Sequence, residues 1–150
     1  MNKVNYAHLR KTISSLTEGE EDVVSLMATV VCELHHNDHR FDWTGFYRVT
    51  SPGMLKIGPY QGIHGCLKIP FERGVCGAAA RLGKTQLVAD VEAFEGHIAC
   101  ASSTMSELVL PVWDKAGALI AVLDIDSDQP NAFTEQDAAE LEIILAKVFS

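Results

Sequence analysis

Cys100 lies in a stretch of small and polar side chains, residues 96–107, three positions after His97 and seven before Glu107. A cysteine in such company reads as a reactive thiol, because the thiolate is the form that attacks electrophilic sulfur, disulfides and metals. Cys76 is a second candidate. It falls in the first turn of an expected helix, close to Arg73, and both the helix N-terminus and the guanidinium would lower a thiol pKa. A steric reading competes: between Gly74 and Gly77, a small side chain would let that helix pack tightly on a sheet. Cys66 and Cys32 complete the set of 4 cysteines. Cys32 sits in an apolar helical band and reads as a small buried hydrophobe. A core of this size needs no disulfide staples, and the first residues lack the apolar run of a secretion signal. The thiols are therefore inert core, metal ligands or redox catalysts.

Carboxylates supply the second half of the chemistry. In the segment 119–126, Leu-Ile-Ala-Val-Leu-Asp-Ile-Asp, both alternating faces are apolar, which predicts a central strand covered on both sides. Period two then sets Asp124 and Asp126 on the face of Ile120 and Val122. A carboxylate pair there needs solvent, donors or a cationic ligand, and burial with mutual repulsion would raise at least one pKa toward neutrality. The competing reading ends the strand at Asp124 and makes Asp126 a turn cap. Glu107, at the start of another predicted strand, adds a third acid, and the three together suit a small molecule bearing an ammonium group. Acids beside a thiol also oppose its ionisation, so a reaction that delivers a proton as the sulfur attacks satisfies both groups. Trp43 and Tyr47 share a strand face with Gly45, either as core or as walls of a small pocket suited to a cation or a polarizable sulfur.

The elements that must hold these residues follow from periodicity. Tyr6, Leu9, Ile13 and Leu16 predict a helix over residues 5–16. Thr17 and Glu20 have the spacing of a capping box for a second helix, whose apolar band runs from Val23 to Leu34. His35, His36 and His39 at its end read as a solvated cap rather than a metal site, since neighbouring helical positions face different directions. Residues 41–50 and 54–60 predict a hairpin about Ser51-Pro52-Gly53, followed by a glycine-punctuated loop and a short strand over 66–70. A helix starting near Val75, an edge strand over 86–91, a strand pair over 107–113 and 118–124, and a final helix capped by Thr134 and Asp137 complete the chain. This is an α+β domain, a central antiparallel sheet with N- and C-terminal helices packed against it.

Composition limits the partners. With 150 residues and 47% hydrophobic content the chain is read as one domain, 1–150, because two would each be marginal. A formal charge of −8 with 12 scattered Lys and Arg argues against nucleic acid. No segment approaches the roughly 18 apolar residues of a membrane span, so a cytoplasmic protein is expected.

Six segments taken together resemble one family in order and spacing: Trp43-Thr44-Gly45-Phe46-Tyr47, Gly58-Pro59-Tyr60-Gln61-Gly62, residues 69–77 from Ile69 to Gly77, Gly96-His97-Ile98-Ala99-Cys100, residues 106–111 from Ser106 to Pro111, and residues 122–127 from Val122 to Ser127. The chain is similar over nearly its whole length to the free methionine-(R)-sulfoxide reductases of the GAF-domain superfamily. The resemblance implies a GAF-like fold, a homodimer, no cofactor, and reduction of free methionine (R)-sulfoxide with thioredoxin as reductant. It implies Cys100 as nucleophile, Cys66 as resolving partner and Cys76 as a third cysteine able to exchange disulfides. It also implies Glu107, Asp124 and Asp126 as substrate-holding acids that assist protonation, with Trp43 and Tyr47 as walls around the methyl end. Ala101, where many members carry Asp, and Thr104-Met105, in place of a more polar pair, depart from the family pattern. Two other readings compete: a GAF module that senses a small molecule without chemistry, and a zinc site from Cys66, Cys76, Cys100 and His97, whose spacing fits zinc templates poorly.

Overall fold

The computed structural model describes residues 4–98, 100 and 103–150; the departure at Ala101 lies outside them. Helix α1 spans Tyr6–Thr17 and is opened by Asn5, whose side chain accepts from the His8 N–H at 3.1 Å. Helix α2 spans Val23–Asn37. The capping box expected from Thr17 and Glu20 does not form. Thr17 ends α1 and donates its hydroxyl to the Ile13 carbonyl at 2.7 Å, while Asp22 caps α2 by accepting from the Val24 N–H at 2.9 Å. Asp22 directly precedes the first helical residue, which is where an N-cap must stand.

Strands β1 (Trp43–Ser51), β2 (Met54–Gln61), β3 (Lys68–Pro70), β4 (Gln86–Val88), β5 (Ser106–Trp113) and β6 (Leu119–Ser127) form a sheet in the order β3-β2-β1-β6-β5-β4, with every neighbouring pair antiparallel. Helix α3 (Gly74–Leu82) follows β3 and helix α4 (Glu135–Phe149) ends the chain. The edge strand is shorter than the sequence suggested. Asp90 turns the chain by accepting from the Glu92 N–H at 3.0 Å, opening a 3-10 turn over Val91–Ala93. Strand β6, by contrast, is longer and runs to Ser127, so Asp126 is a strand residue and not a turn cap.

Each face of the sheet carries its own core. Phe46, Leu108, Leu110, Ala121, Leu123 and Ile125 point to one side and pack with α1, α2 and α4 through Ile13, Leu34, Leu141 and Ile144. Trp43, Tyr47, Val109 and Val122 point to the other side, where Val75, Cys76 and Ala79 of α3 cover them. This two-sided burial accounts for the apolar runs in β5 and β6. Cys32 is only partly buried and is absent from the first cluster. Its Sγ faces outward, 3.8 Å from His36 Nδ1, so the helical band is narrower than its composition suggested.

The three long helices are tied by charge. Arg40 donates to Asp38 at 2.6 Å and to Asp137 at 2.8 Å, and the Tyr6 hydroxyl donates to Asp137 at 2.7 Å. Asp137 also completes a capping box with Thr134 at the start of α4. Arg40 and these donors hold the Asp137 carboxyl at about 2, against the opposing pull of burial.

Candidate active site

Strand register assembles the acids. Glu107 of β5 stands opposite Asp126 of β6, and Asp126 stands opposite Trp43 of β1; one step along, Asp124 is opposite Gly45. Directly opposed residues sit about 4.5–5.5 Å apart on one face, so three strands deliver Trp43, Asp126, Glu107 and Asp124 to a single patch. Helix α3 closes over it, bringing Cys76 Sγ to 4.0 Å from Glu107 Oε2. Trp43, Tyr47, Cys76, Cys100, Glu107, Asp124 and Asp126 all line one cavity of about 30 Å³, which His64, His97 and Thr104 also border.

Cys66 and Cys100 are joined by a disulfide across 34 residues, with Cα atoms 5.3 Å apart. The bridge links the loop between β2 and β3 to the segment before β5. With these two sulfurs bonded to each other, the four-ligand set of Cys66, Cys76, Cys100 and His97 is not assembled. The expected solvated role of the histidine run holds in modified form: His36 Nδ1 donates to the Cys32 carbonyl at 2.8 Å, and His35 Nδ1 meets Thr44 Oγ1 at 3.1 Å.

Electrostatics weigh between the two readings of Cys76. Cys76 does occupy the first turn of α3, but its thiol pKa is raised well above the ordinary value, first by burial and then by Asp124, Glu107 and Asp126. Arg73, the N-cap residue, is exposed and makes no side-chain capping bond, whereas Cys76 is 3% exposed and faces acids. Of the two readings the sequence left open for Cys76, burial and the facing acids favour the small packing residue over the thiolate.

All three carboxyls are raised by burial. Repulsion from both aspartates pushes Glu107 further, and Asp124 does the same to Asp126. Hydrogen bonding from Glu107, Asp126 and Cys76 partly offsets the rise at Asp124. Burial therefore opposes ionisation of all three, least at Asp124. Asp124 Oδ1 and Asp126 Oδ1 are nevertheless buried without a hydrogen-bond partner among the described residues. The arrangement can donate a proton and can accept hydrogen bonds from a cationic group.

The aromatic wall is a stack. The Trp43 ring lies 5.8 Å from Tyr47 and 5.2 Å from Tyr60, both near parallel, and its Nε1–H donates to the Ile63 carbonyl at 2.7 Å. Gly45 permits this: a Cβ there would meet the Trp43 ring and Tyr60 Cβ at 2.5 Å. Gly65 lets the loop approach in the same way, since its Cβ would lie 2.9 Å from Tyr47 Oη. Tyr60, Ile63 and His64 were missed by sequence reasoning. The one signal for them was the glycine-punctuated loop 61–66, which wraps the aromatic pair and carries Cys66.

The sheet order and its helical cover are those of a GAF domain, and the model of the GAF-domain family matches residues 17–148. The free methionine-R-sulfoxide reductase of Escherichia coli (strain K12) is 38% identical over 149 residues, spanning 99% of this chain and 89% of that protein. The reduced form of fRMsr from Staphylococcus aureus superposes with a TM-score of 0.94 at 37% identity, covering 99% of this chain and 95% of that one. A Neisseria meningitidis free methionine-R-sulfoxide reductase in complex with its substrate superposes with a TM-score of 0.89 at 39% identity, covering 95% and 85%. The chain belongs to the GAF-domain family, within its free methionine-R-sulfoxide reductase branch.

Proposed function

We propose that this chain reduces free L-methionine (R)-sulfoxide to L-methionine through a cysteine sulfenic acid and disulfide cycle, with thioredoxin as the recycling reductant. The observation that carries the reading is the Cys66–Cys100 disulfide beside a cavity lined by Glu107, Asp124 and Asp126. In the reduced enzyme the Cys100 sulfur attacks the sulfoxide sulfur. The S–O bond breaks as a protonated carboxyl, Glu107 or Asp126, supplies a proton to the departing oxygen. The released hydroxide then attacks Cys100 Sγ, the bond between the two sulfurs breaks, and methionine leaves with Cys100 held as a sulfenic acid. The Cys66 thiol then condenses with it, releasing water and forming the disulfide. An external dithiol restores both thiols by exchange and is itself oxidised by two electrons.

In this scheme Asp124 holds the substrate ammonium, and the unpartnered Oδ1 atoms of Asp124 and Asp126 accept from it. Trp43 and Tyr47 wall the methyl and sulfur end, where an aromatic face suits a polarizable atom. Cys76, buried and held protonated, serves as a reserve thiol for disulfide exchange. Residues 1–150 act as one domain, a reading supported by the bonds from Tyr6 and Arg10 of α1 to Asp137 and Glu140 of α4. The working unit is a cytoplasmic homodimer. Exposed Leu16, Val23 and Val24 around the α1–α2 turn offer an apolar surface for its interface. Among the described residues no helix is long and apolar enough to cross a membrane.

The test is single-turnover chemistry. Each diastereomer of free methionine sulfoxide is mixed with reduced protein and methionine is counted. Cys100→Ser should release none, and Cys66→Ser should release one methionine per chain and stop. Full thioredoxin-supported activity in Cys100→Ser would overturn the assignment, and activity on neither diastereomer would return the chain to small-molecule sensing.

A further inference from the structure

The oxidised cavity holds a donor cluster that shares Glu107 and Asp124 with this chemistry. Cys76 Sγ, a Glu107 oxygen and an Asp124 oxygen lie within 4.8 Å of one another, all three residues buried. An acidic pair and a cysteine alone would say little. Asp124 adds an independent observation: it is 5% exposed, and its Oδ1 has no hydrogen-bond partner among the described residues while its side chain lines the cavity. At about 30 Å³ the cavity matches the volume of a single water or ion.

We propose that these three residues form a site for one borderline-soft divalent cation of the Zn²⁺ type, open to the ion while Cys66 and Cys100 are disulfide-bonded. The donor set argues for this class. A thiolate favours zinc and cobalt over magnesium and calcium, and carboxylate oxygens complete a site with three protein ligands and one open position. A tetrahedral zinc with bonds of about 2.3 Å to sulfur and 2.0 Å to oxygen sets sulfur and oxygen roughly 3.5 Å apart. The 4.0 Å from Cys76 Sγ to Glu107 Oε2 closes to that by a small side-chain rotation. The ion displaces the thiol proton to solvent, takes a sulfur bond in its place and leaves the carboxyls ionised, with no electron transferred. In the disulfide form Cys66 and Cys100 offer no thiolate, so Cys76 is the cavity's free sulfur. The site shares Glu107 and Asp124 with the proposed reaction but is offered by the oxidised chain, and its test needs no activity.

The experiment uses the oxidised full chain carrying Cys32→Ser, which removes the second free thiol and its His36 neighbour from consideration. Titration with Co²⁺ should give a thiolate-to-cobalt charge-transfer band in the near ultraviolet that saturates at one ion per chain and disappears on adding Zn²⁺. Cys76→Ser should abolish the band. Glu107→Gln and Asp124→Asn should each weaken binding by about tenfold or more, since loss of even an indirect supporting group costs about 10–100-fold. Absence of the band, or an unchanged band in Cys76→Ser, would overturn the proposal. X-ray absorption of the Zn²⁺-loaded Cys32→Ser parent keeps the test valid if a variant misfolds: one sulfur with oxygen neighbours supports the site, and either no sulfur or several sulfurs refutes it.

Discussion

Glu107→Gln should stabilise the folded protein above neutrality while it removes a proton donor from the cavity. Glu107 is 6% exposed, and burial followed by repulsion from Asp124 and Asp126 raises its pKa well above the ordinary value. In the unfolded chain a glutamate ionises near about 4.3. Below that pH both states hold the proton, and the group does not weigh against folding. As pH rises, the unfolded chain releases the proton and the folded chain keeps it, so stability falls by up to about 1.4 kcal/mol per pH unit until the folded pKa is passed. Glutamine is nearly the same size and carries no such penalty. The gain from the substitution should therefore be near zero at pH 4 and grow with pH to about 0.5–2 kcal/mol at pH 8, the range common for stabilising substitutions and within the upper limit of about 5 kcal/mol that the slope allows. For a chain of 150 residues that is a rise of roughly 1–8 °C in melting temperature. Urea unfolding from pH 4 to pH 8, with the Cys66–Cys100 disulfide kept intact in both chains, reads the difference directly. A destabilisation of equal size at every pH would refute the reasoning, because it would mean that Glu107 contributes packing and not a held proton.

Three further outcomes follow from the packing and the charges. Gly45→Ala should destabilise by about 1–3 kcal/mol in urea unfolding, because its Cβ would overlap the Trp43 ring and the Cβ of Tyr60, and the second of these is fixed by backbone. Arg40→Met should cost about 3–5 kcal/mol by leaving Asp38 and Asp137 buried without their partner, while Arg10→Met, which removes a more exposed pair with Glu140, should cost about 1 kcal/mol or less by the same measurement. In the oxidised chain at pH 8, iodoacetamide should modify Cys32 well before Cys76, which is buried and held protonated by its acidic neighbours; equal rates by peptide mass spectrometry would contradict that environment.

Much of this site could be read from one-dimensional pattern, and the parts that could not share a cause. Asp124 and Asp126 were visible because period two in an apolar strand sets two charges on a covered face, and β6 obeys it to Ser127. Thr134 and Asp137 were visible because a capping box is a local rule. Asp22 was missed as the α2 cap because Thr17, Glu20 and Asp22 offer overlapping signals within six residues, and the cap depends on where the helix begins. Cys76 stayed open between thiolate and packing residue because helix position and Arg73 are local, while the acids that face it come from β5 and β6, more than thirty residues away. The pairing of Cys66 with Cys100 came from family resemblance, since nothing in spacing alone singles out that bridge among the cysteines. The stack of Tyr47, Trp43 and Tyr60 likewise depends on the register of β1 with β2, which pairs Gly45 with Tyr60.

The size of the cavity orders the proposed cycle. At about 30 Å³ it has room for one water, whereas sites that enclose small organic ligands are about 300–1,000 Å³. The Cys66–Cys100 bridge holds the 61–66 loop and the segment before β5 together at the cavity, so the oxidised chain should not admit a whole amino acid. Reduction must then precede substrate binding, and methionine must leave before Cys66 reaches the Cys100 sulfenic acid. A ligand that binds only the reduced form stabilises that form by RT ln(1 + [L]/Kd), so free methionine sulfoxide should also make the disulfide easier to reduce. Calorimetry with L-methionine, which binds without reacting, should give heat with the reduced protein and none with the oxidised one. Cys100→Ser, which cannot form the bridge, should bind under both conditions. Equal affinity of the oxidised and reduced parent would show that the bridge does not close the cavity, and the order of steps drawn here would fall with it.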